Sequence, residues 1–434
     1  MKLNTAVKPI HTHEGAGAQH INAEQQLRRS VMACMLWEGT FYEDGVSIAE
    51  RITETIKLVK PEIVSAIAIE ARELMKLRHV PLLIVREMAR LDTHKHLVAD
   101  TLSRIIQRPD ELTEYLAIYW AGGRCSVSAQ SKLGLARAFK KFNEYSLAKY
   151  NQDGQVKLRD VLFLCHAKPD NPEQDALWKR LIDGTMQTPD TWEVALSETK
   201  GENKKETWER LLKEKKLGAL ALIRNIRNMT EAGVDNSLVK TALREIDVTR
   251  VLPYRFIASA RYNPYYEQEL ETALFKCVAE LPKLSGHTVI LVDVSGSMNS
   301  ELSERSDLTR IDAGCGLAML CRELCESVSV YSFSYQCVQI PARRGFALRD
   351  AINNSQEHGA TYTGEALKLI NAREKYDRII VITDEQSHDS IPAPPGKGYF
   401  INVASYKNGI GYGRWTHLDG FSENVLQYIK NSEE

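Results

Sequence analysis

No apolar run reaches the roughly 18 residues that a membrane-crossing helix needs. The first residues, MKLNTAVKPIHTHEGAGAQHIN, also lack the apolar stretch of a secretion signal. These absences argue against a helical membrane protein and set the expectation of a cytoplasmic protein with no membrane partner. The eight cysteines include no CxxC pair, so the tight spacing of a thiolate zinc site is missing. The closest cluster is Cys315, Cys321 and Cys325. It falls on a predicted helix that puts the last two on one face, and the expectation is buried, reduced thiols. There is no P-loop, no GxSxG and no HExxH. Excess charge of one sign is missing too, because 56 Lys+Arg stand against 57 Asp+Glu. That balance is uneven along the chain. Residues 286–434 hold 14 basic and 19 acidic side chains, leaving 42 and 38 in residues 1–285. A mild basic bias on the first part permits an anionic partner and does not require one.

What is present divides at about residue 284, and 434 residues are too many for one ordinary core. After an N-terminal arm (1–22), residues 23–284 read as helical. Apolar residues recur at three- and four-residue steps in 52–59, 62–77, 80–91, 96–106 and 111–120. Pro61, Pro81 and Pro109 suit helix starts. Short helices in series predict an α-solenoid, in which each pair covers its neighbour's apolar face. Residues 151–160, 167–175 and 198–207 read as polar turns or loops, with VLFLCH (161–166) a helix between the first two. Residues 285–434 alternate. Strands are predicted at 287–294, 328–334, 338–341, 378–384 and 399–405. Helices are predicted at 309–326, 347–354 and 364–373, with a closing one in SENVLQYIKNS. That pattern predicts an α/β, Rossmann-like domain whose ligand site lies at the carboxyl ends of the strands.

One constellation falls there. Asp293-Val294-Ser295-Gly296-Ser297 follows the first strand, and its two hydroxyls, two residues apart, point the same way. Thr361 precedes a helix in HGATYTGEAL, and Asp384 ends the strand RIIVITD. Carboxylate and hydroxyl oxygens are hard ligands suited to Mg²⁺. DVSGSM, GATYTGEAL and ITDE, in that order, resemble the metal-ion-dependent adhesion site of von Willebrand factor A domains. The resemblance implies that Asp293, Ser295, Ser297, Thr361 and Asp384 surround the ion directly or through water. A metal-free turn would crowd Asp293 against Asp384.

The helical part also resembles a family. LRRSVMACMLWEGTFYED (27–44), LRDVLFLCHAKPDN (158–171), TWEVALSE (191–198), RNIRNMTEAGV (224–234) and RVLPYRFIASARY (250–262) are similar to the TROVE module. A TROVE module followed by an A domain is the Ro arrangement. The resemblance implies HEAT-like repeats closed into a ring, with Y-like noncoding RNA on the ring surface and single-stranded RNA ends in the central hole. It also implies a monomer, an exoribonuclease partner in bacterial relatives, and RNA quality control or maturation without catalysis. His166 and Lys168 of CHAKP match the family's HLKP motif, and Lys149, 17 residues before His166, matches an upstream lysine. Asp153 stands where relatives usually carry Arg, which replaces attraction with repulsion at one phosphate contact. Arg137, Lys140, Lys141, Lys157 and Arg159 are candidates to restore positive charge. By itself, Arg137 with Lys140 and Lys141 reads as a solvated helix face. Two other readings stand beside RNA binding. One is metal-dependent protein adhesion on a helical scaffold. The other is hydrolysis, for which Glu385 and His388 are the nearest bases and the hydroxyl-rich ligand set is poorly suited.

Overall fold

A computed structural model describes residues 10–18, 21–32, 45–73, 75, 77–151, 154–187, 191–199, 203–248, 251, 253–279, 281–303, 306–404, 406, 408–411, 413–420, 429–430 and 433. Cys34 and Asp153 lie outside these residues. By compactness the chain groups into residues 23–36 with 46–200, and residues 1–22 with 37–45 and 201–434.

The first unit is helical throughout. The predicted segments become Gly45–Ile56, Pro61–Glu73, His79–Arg90, Val98–Ile105 and Asp110–Tyr119, followed by Ala129–Phe139, Glu144–Tyr150, Leu158–Cys165, Pro172–Asp183 and Trp192–Glu198. Their apolar stripes merge into one core running from Leu27 to Leu181. A buried ion pair crosses it, Arg72 to Glu111 at 2.6 Å. The second Glu111 oxygen accepts from the Gln107 and Arg108 amides at 2.7 and 3.1 Å. Its charge is therefore satisfied on both oxygens.

Two polar stretches are more ordered than their composition suggests. Within 167–175 a helix starts at Pro172, where the Asn171 side chain accepts from the Gln174 amide at 2.8 Å. Asn at the cap and Pro at the first helical position make that start. Within 198–207 the helix Lys204–Lys213 begins. Its charged first turn hides the amphipathic stripe that buries Trp208, Leu211 and Leu212.

The second unit opens with the helices Lys204–Lys213, Ala219–Glu231, Asn236–Arg244, Tyr254–Tyr262 and Glu267–Ala279. A six-stranded sheet follows. Its strands are β1 (Leu284–Asp293), β4 (Cys325–Phe333), β5 (Cys337–Gln339), β6 (Arg378–Thr383), β7 (Lys397–Asn402) and β8 (Thr416–Asp419). The order is β5-β4-β1-β6-β7-β8, parallel except at β4–β5. Short β2 (Glu301–Ser303) and β3 (Ser306–Thr309) form a separate antiparallel ribbon. Residues 289–292 and 379–382 are fully buried, which explains their continuous apolar runs. The ribbon and β8 were not expected, because three- or four-residue polar strands carry no periodicity to read. Cys325 opens β4 and does not share a helix face with Cys321, since the helix Arg310–Leu324 ends before it. Most of the predicted closing helix lies outside the described residues. Among the described residues no helix is long and apolar enough to cross a membrane.

Near the chain's end, Glu433 ties two strands together. Its carboxylate accepts from Arg378 Nε and Nη2 at 2.9 and 2.6 Å and from the Tyr399 hydroxyl at 2.9 Å, with Lys397 at 3.0 Å. Burial alone would raise the Glu433 carboxyl. The hydrogen bonds from Arg378, Lys397 and Tyr399 outweigh it and pull the group down to about 2. A depressed carboxylate stabilises the fold above its ordinary value of 4.5, and the contribution is lost as pH falls from there toward about 2. Glu433→Gln is expected to cost about 3 kcal/mol at pH 7. Denaturant melts from pH 7 to 3 should show wild type converging on the variant as the pH drops.

Candidate metal centre and RNA surface

The parallel register sets the centre. Val292 of β1 pairs with Ile382 of β6, so Asp293 and Asp384 emerge side by side where the sheet changes direction, the usual crevice for a ligand. Both are fully buried. Asp293 Oδ1 accepts from the Ser295 amide at 2.8 Å, and Oδ2 accepts from the Thr383 hydroxyl at 2.6 Å. The Ser295 and Ser297 hydroxyl oxygens are 3.3 Å apart. That separation is close to the roughly 3 Å edge of an octahedron with ~2.1 Å bonds. The Gly296 amide donates to the Gly359 carbonyl at 2.8 Å, which holds the Thr361 loop against the serine turn. Thr361 is buried. A set of carboxylate and hydroxyl oxygens, with the two serine hydroxyls at that separation, fits a small divalent cation.

These contacts link Asp293, Ser295, Ser297 and Asp384, the Thr361 loop reaches them through the Gly296–Gly359 backbone bond, and one further residue, Arg310, joins the group. Arg310, itself buried, donates to Asp384 Oδ2 at 3.2 Å and to the Ser297 carbonyl at 3.4 Å. The crowding of two carboxylates is thus partly relieved by a resident guanidinium, and it does not by itself demand a metal ion. One positive charge does not cancel two negative ones. Burial, and then the Asp384 charge, still push the Asp293 carboxyl up. No sequence signal marks Arg310, which reads as an ordinary first-turn residue.

The loop after β6 closes the centre from the other side. Glu385 has φ +62°, a left-handed conformation that costs a non-glycine residue about 1 kcal/mol. Its carboxylate is 2.7 Å from buried His417, which lies 2.9 Å from Asp419. Burial opposes charge on His417, but Asp419 and Glu385 outweigh it and push the imidazole up to about 9. Beyond Glu385, the Gln386 amide donates to Asp384 Oδ1 at 3.3 Å. His388 and Thr361 bond reciprocally: the His388 amide donates to the Thr361 carbonyl at 2.9 Å, and the Thr361 amide to His388 Nδ1 at 3.2 Å. Asp389 accepts from the Gly364 and Glu365 amides at 2.8 and 2.7 Å, capping the helix Thr363–Arg373. Neither Glu385 nor His388 is placed as a free base.

The candidate RNA residues are spread over the first unit, and most are engaged within it. Arg137 pairs with Asp100 and Lys140 with Asp170. Lys141 donates to the Ser103 and Ile106 carbonyls at the end of the helix Val98–Ile105, which makes it a helix cap. Lys149 faces Glu193 at 3.2 Å, and Arg159 is 3.9 Å from Asp160. His166 ends its helix in the left-handed region at φ 51° and is exposed. Lys168 is exposed and, among the described residues, has no ion pair. On the helix Leu158–Cys165, exposed Arg159, Phe163 and the following His166 fall on one stripe at i, i+4 and i+7. Phe163, 58% exposed, was absorbed into an apolar run by the sequence reading. Its position opposite buried Leu162 and Cys165 is the signal that was available.

Removing Arg310 tests its share of the centre. With EDTA present, Arg310→Leu is expected to lower stability by about 3 kcal/mol, as for an ion pair broken on one side. Chemical melts read this directly. A neutral result would show that the carboxylates need no resident cation.

A comparison with curated proteins returned no match. Family comparison matches the TROVE domain over residues 179–287 and the Ro60 vWA domain over residues 287–394. Among solved structures, the chain is similar to the Ro (RSR) protein of Deinococcus radiodurans. The TM-score is 0.59 at 16% sequence identity, covering 95% of this chain and 100% of that one. The two domain matches abut at residue 287, and the structural match shows the fold along nearly the whole chain. The chain therefore carries a TROVE domain followed directly by a Ro60-type von Willebrand A domain, the arrangement of Ro proteins.

Proposed function

We propose that this chain, an RNA-binding protein of the Ro type, is a non-catalytic scaffold for noncoding and defective RNA. Y-like RNA would lie on the helical surface, and single-stranded ends of structured or misfolded RNA in the central hole of the ring that the family resemblance implies. The observation that carries the reading is the TROVE domain joined directly to a Ro60-type A domain. The exposed Arg159–Phe163–His166 stripe beside Lys168 supports it. Cations hold phosphates and release counterions, while an exposed ring stacks unpaired bases. A cytoplasmic monomer that hands RNA to an exoribonuclease completes the proposal.

A gel-shift salt series tests it. RNA with a single-stranded 3′ tail should bind more tightly than the same RNA without the tail or duplex DNA, and binding should fall with salt. Lys149→Glu with Lys168→Glu is expected to weaken structured small RNA more than a single-stranded end. Lys168→Gln should lower the log–log salt slope by about one. Phe163→Ala should cost about 1–3 kcal/mol and leave that slope unchanged, because stacking releases no counterion. No RNA binding at low salt would leave metal-dependent protein adhesion by the A domain as the reading.

The second part of the proposal is a Mg²⁺ ion held by Asp293, Ser295, Ser297, Thr361 and Asp384, directly or through water. It would neutralise the buried carboxylates and order the three loops. Mg²⁺ at 100 times its Kd should stabilise wild type by about 2.7 kcal/mol. Asp293→Ala should abolish that gain and leave RNA binding intact, as read by thermal melts and gel shifts. Equal loss of RNA binding with circular dichroism unchanged would sink this division of labour.

A further inference from the structure

The N-terminal arm does not hang free of the A domain. Residues 10–18 form a tight turn closed by a bridge between His11 and Gly17, in which the Thr12 hydroxyl accepts from the Ala16 amide at 3.0 Å. Thr12 and Ala16 are buried. The turn sits on the loop that follows β6. The Thr12 hydroxyl donates to the Ser387 carbonyl at 2.9 Å, and the His13 amide to Gln386 Oε1 at 2.6 Å. The Asn408 side chain donates to the His11 carbonyl at 3.1 Å. Glu14 Oε2 stands 3.2 Å from His388 Nε2. Because His388 Nδ1 accepts from the Thr361 amide, the proton of the neutral ring is on Nε2 and points at Glu14.

The arm thus touches three consecutive loop residues, and each leads to the metal centre. Gln386, fully buried, donates its amide to Asp384 Oδ1 and its side chain to the Asp384 carbonyl at 3.1 Å. The Ser387 hydroxyl, which donates to Asp389 Oδ1 at 2.8 Å, also lies 3.3 Å from the Thr361 carbonyl. His388 bonds Thr361 through both its ring and its backbone amide. The two ligand candidates that do not belong to the DVSGS turn, Asp384 and Thr361, are therefore placed by a loop whose outer side is held by residues 11–14.

We infer that the arm is a built-in clasp of the metal centre. Thr12 and Glu14 act as positioning residues that hold the 386–388 loop, and through it Asp384 and Thr361, in the geometry that receives the cation. The inference rests on the metal reading proposed above. Groups that orient ligands are typically worth about 10- to 100-fold in metal affinity.

The test compares wild type, Thr12→Val, Glu14→Ala and the double variant as full chains, with Mn²⁺ as the probe. Calorimetry reads affinity, and hydrogen exchange reads the amides of Thr361, Gln386 and His388. The double variant is expected to bind Mn²⁺ about 10- to 100-fold more weakly, with faster exchange at those three amides and no change in the β1 and β6 amides. Glu14→Gln should recover part of the loss, since an amide oxygen still accepts from His388. Equal Mn²⁺ affinity in all variants, or unchanged exchange in the loop, would overturn the clasp. No Mn²⁺ uptake by wild type would instead bring down the metal reading itself, before any variant is compared.

Discussion

Two carboxylates out of water at the end of a parallel sheet set the terms for the A domain. Asp293 and Asp384 are fully buried, and the pairing of β1 with β6 leaves them no way to separate. Their neighbours answer that constraint. Thr383 and the Ser295 amide each hold one oxygen of Asp293. Arg310 and the Gln386 amide serve Asp384. The serine hydroxyls remain as neutral oxygen donors beside them. An arrangement that over-determined in position, and still one positive charge short, is what a bound cation would complete.

Much of this was legible in the residue order. Buried parallel strands announce themselves as β-branched runs, so β1, β4, β6 and β7 were found to within a few residues. The ends of β1 and β6 then put Asp293, Ser295, Ser297 and Asp384 in one place. Other features were illegible for separate physical reasons. Arg310 acts through tertiary placement alone. β8 and the β2–β3 ribbon are too short for a period. Thr12 and Glu14 act on residues 375 and 374 positions away, a pairing that no local pattern encodes.

The helical half shows why a count of basic residues is a poor guide to a nucleic-acid surface. Arg137, Lys140, Lys141 and Lys149 look like a cationic face in sequence. Each is committed to an aspartate, a glutamate or a helix end. Arg137 still faces water beside Asp100, and with it Arg159, Phe163, His166 and Lys168 make an exposed set of mixed character. Recognition built on them would lean on stacking and shape more than on bulk charge.

The arm also sets an order of events during synthesis. The Thr12–Ser387 and His13–Gln386 hydrogen bonds join residues 375 and 373 positions apart. At ~5–20 residues per second a ribosome needs roughly 20–75 s to cover that interval. Throughout it residues 11–13 lack the partners they bond in the folded chain, while the helices after them can already pack. The A domain therefore closes by reaching back to residues made some 375 positions earlier, and synthesis interrupted before β6 would leave Thr12 and His13 without these partners.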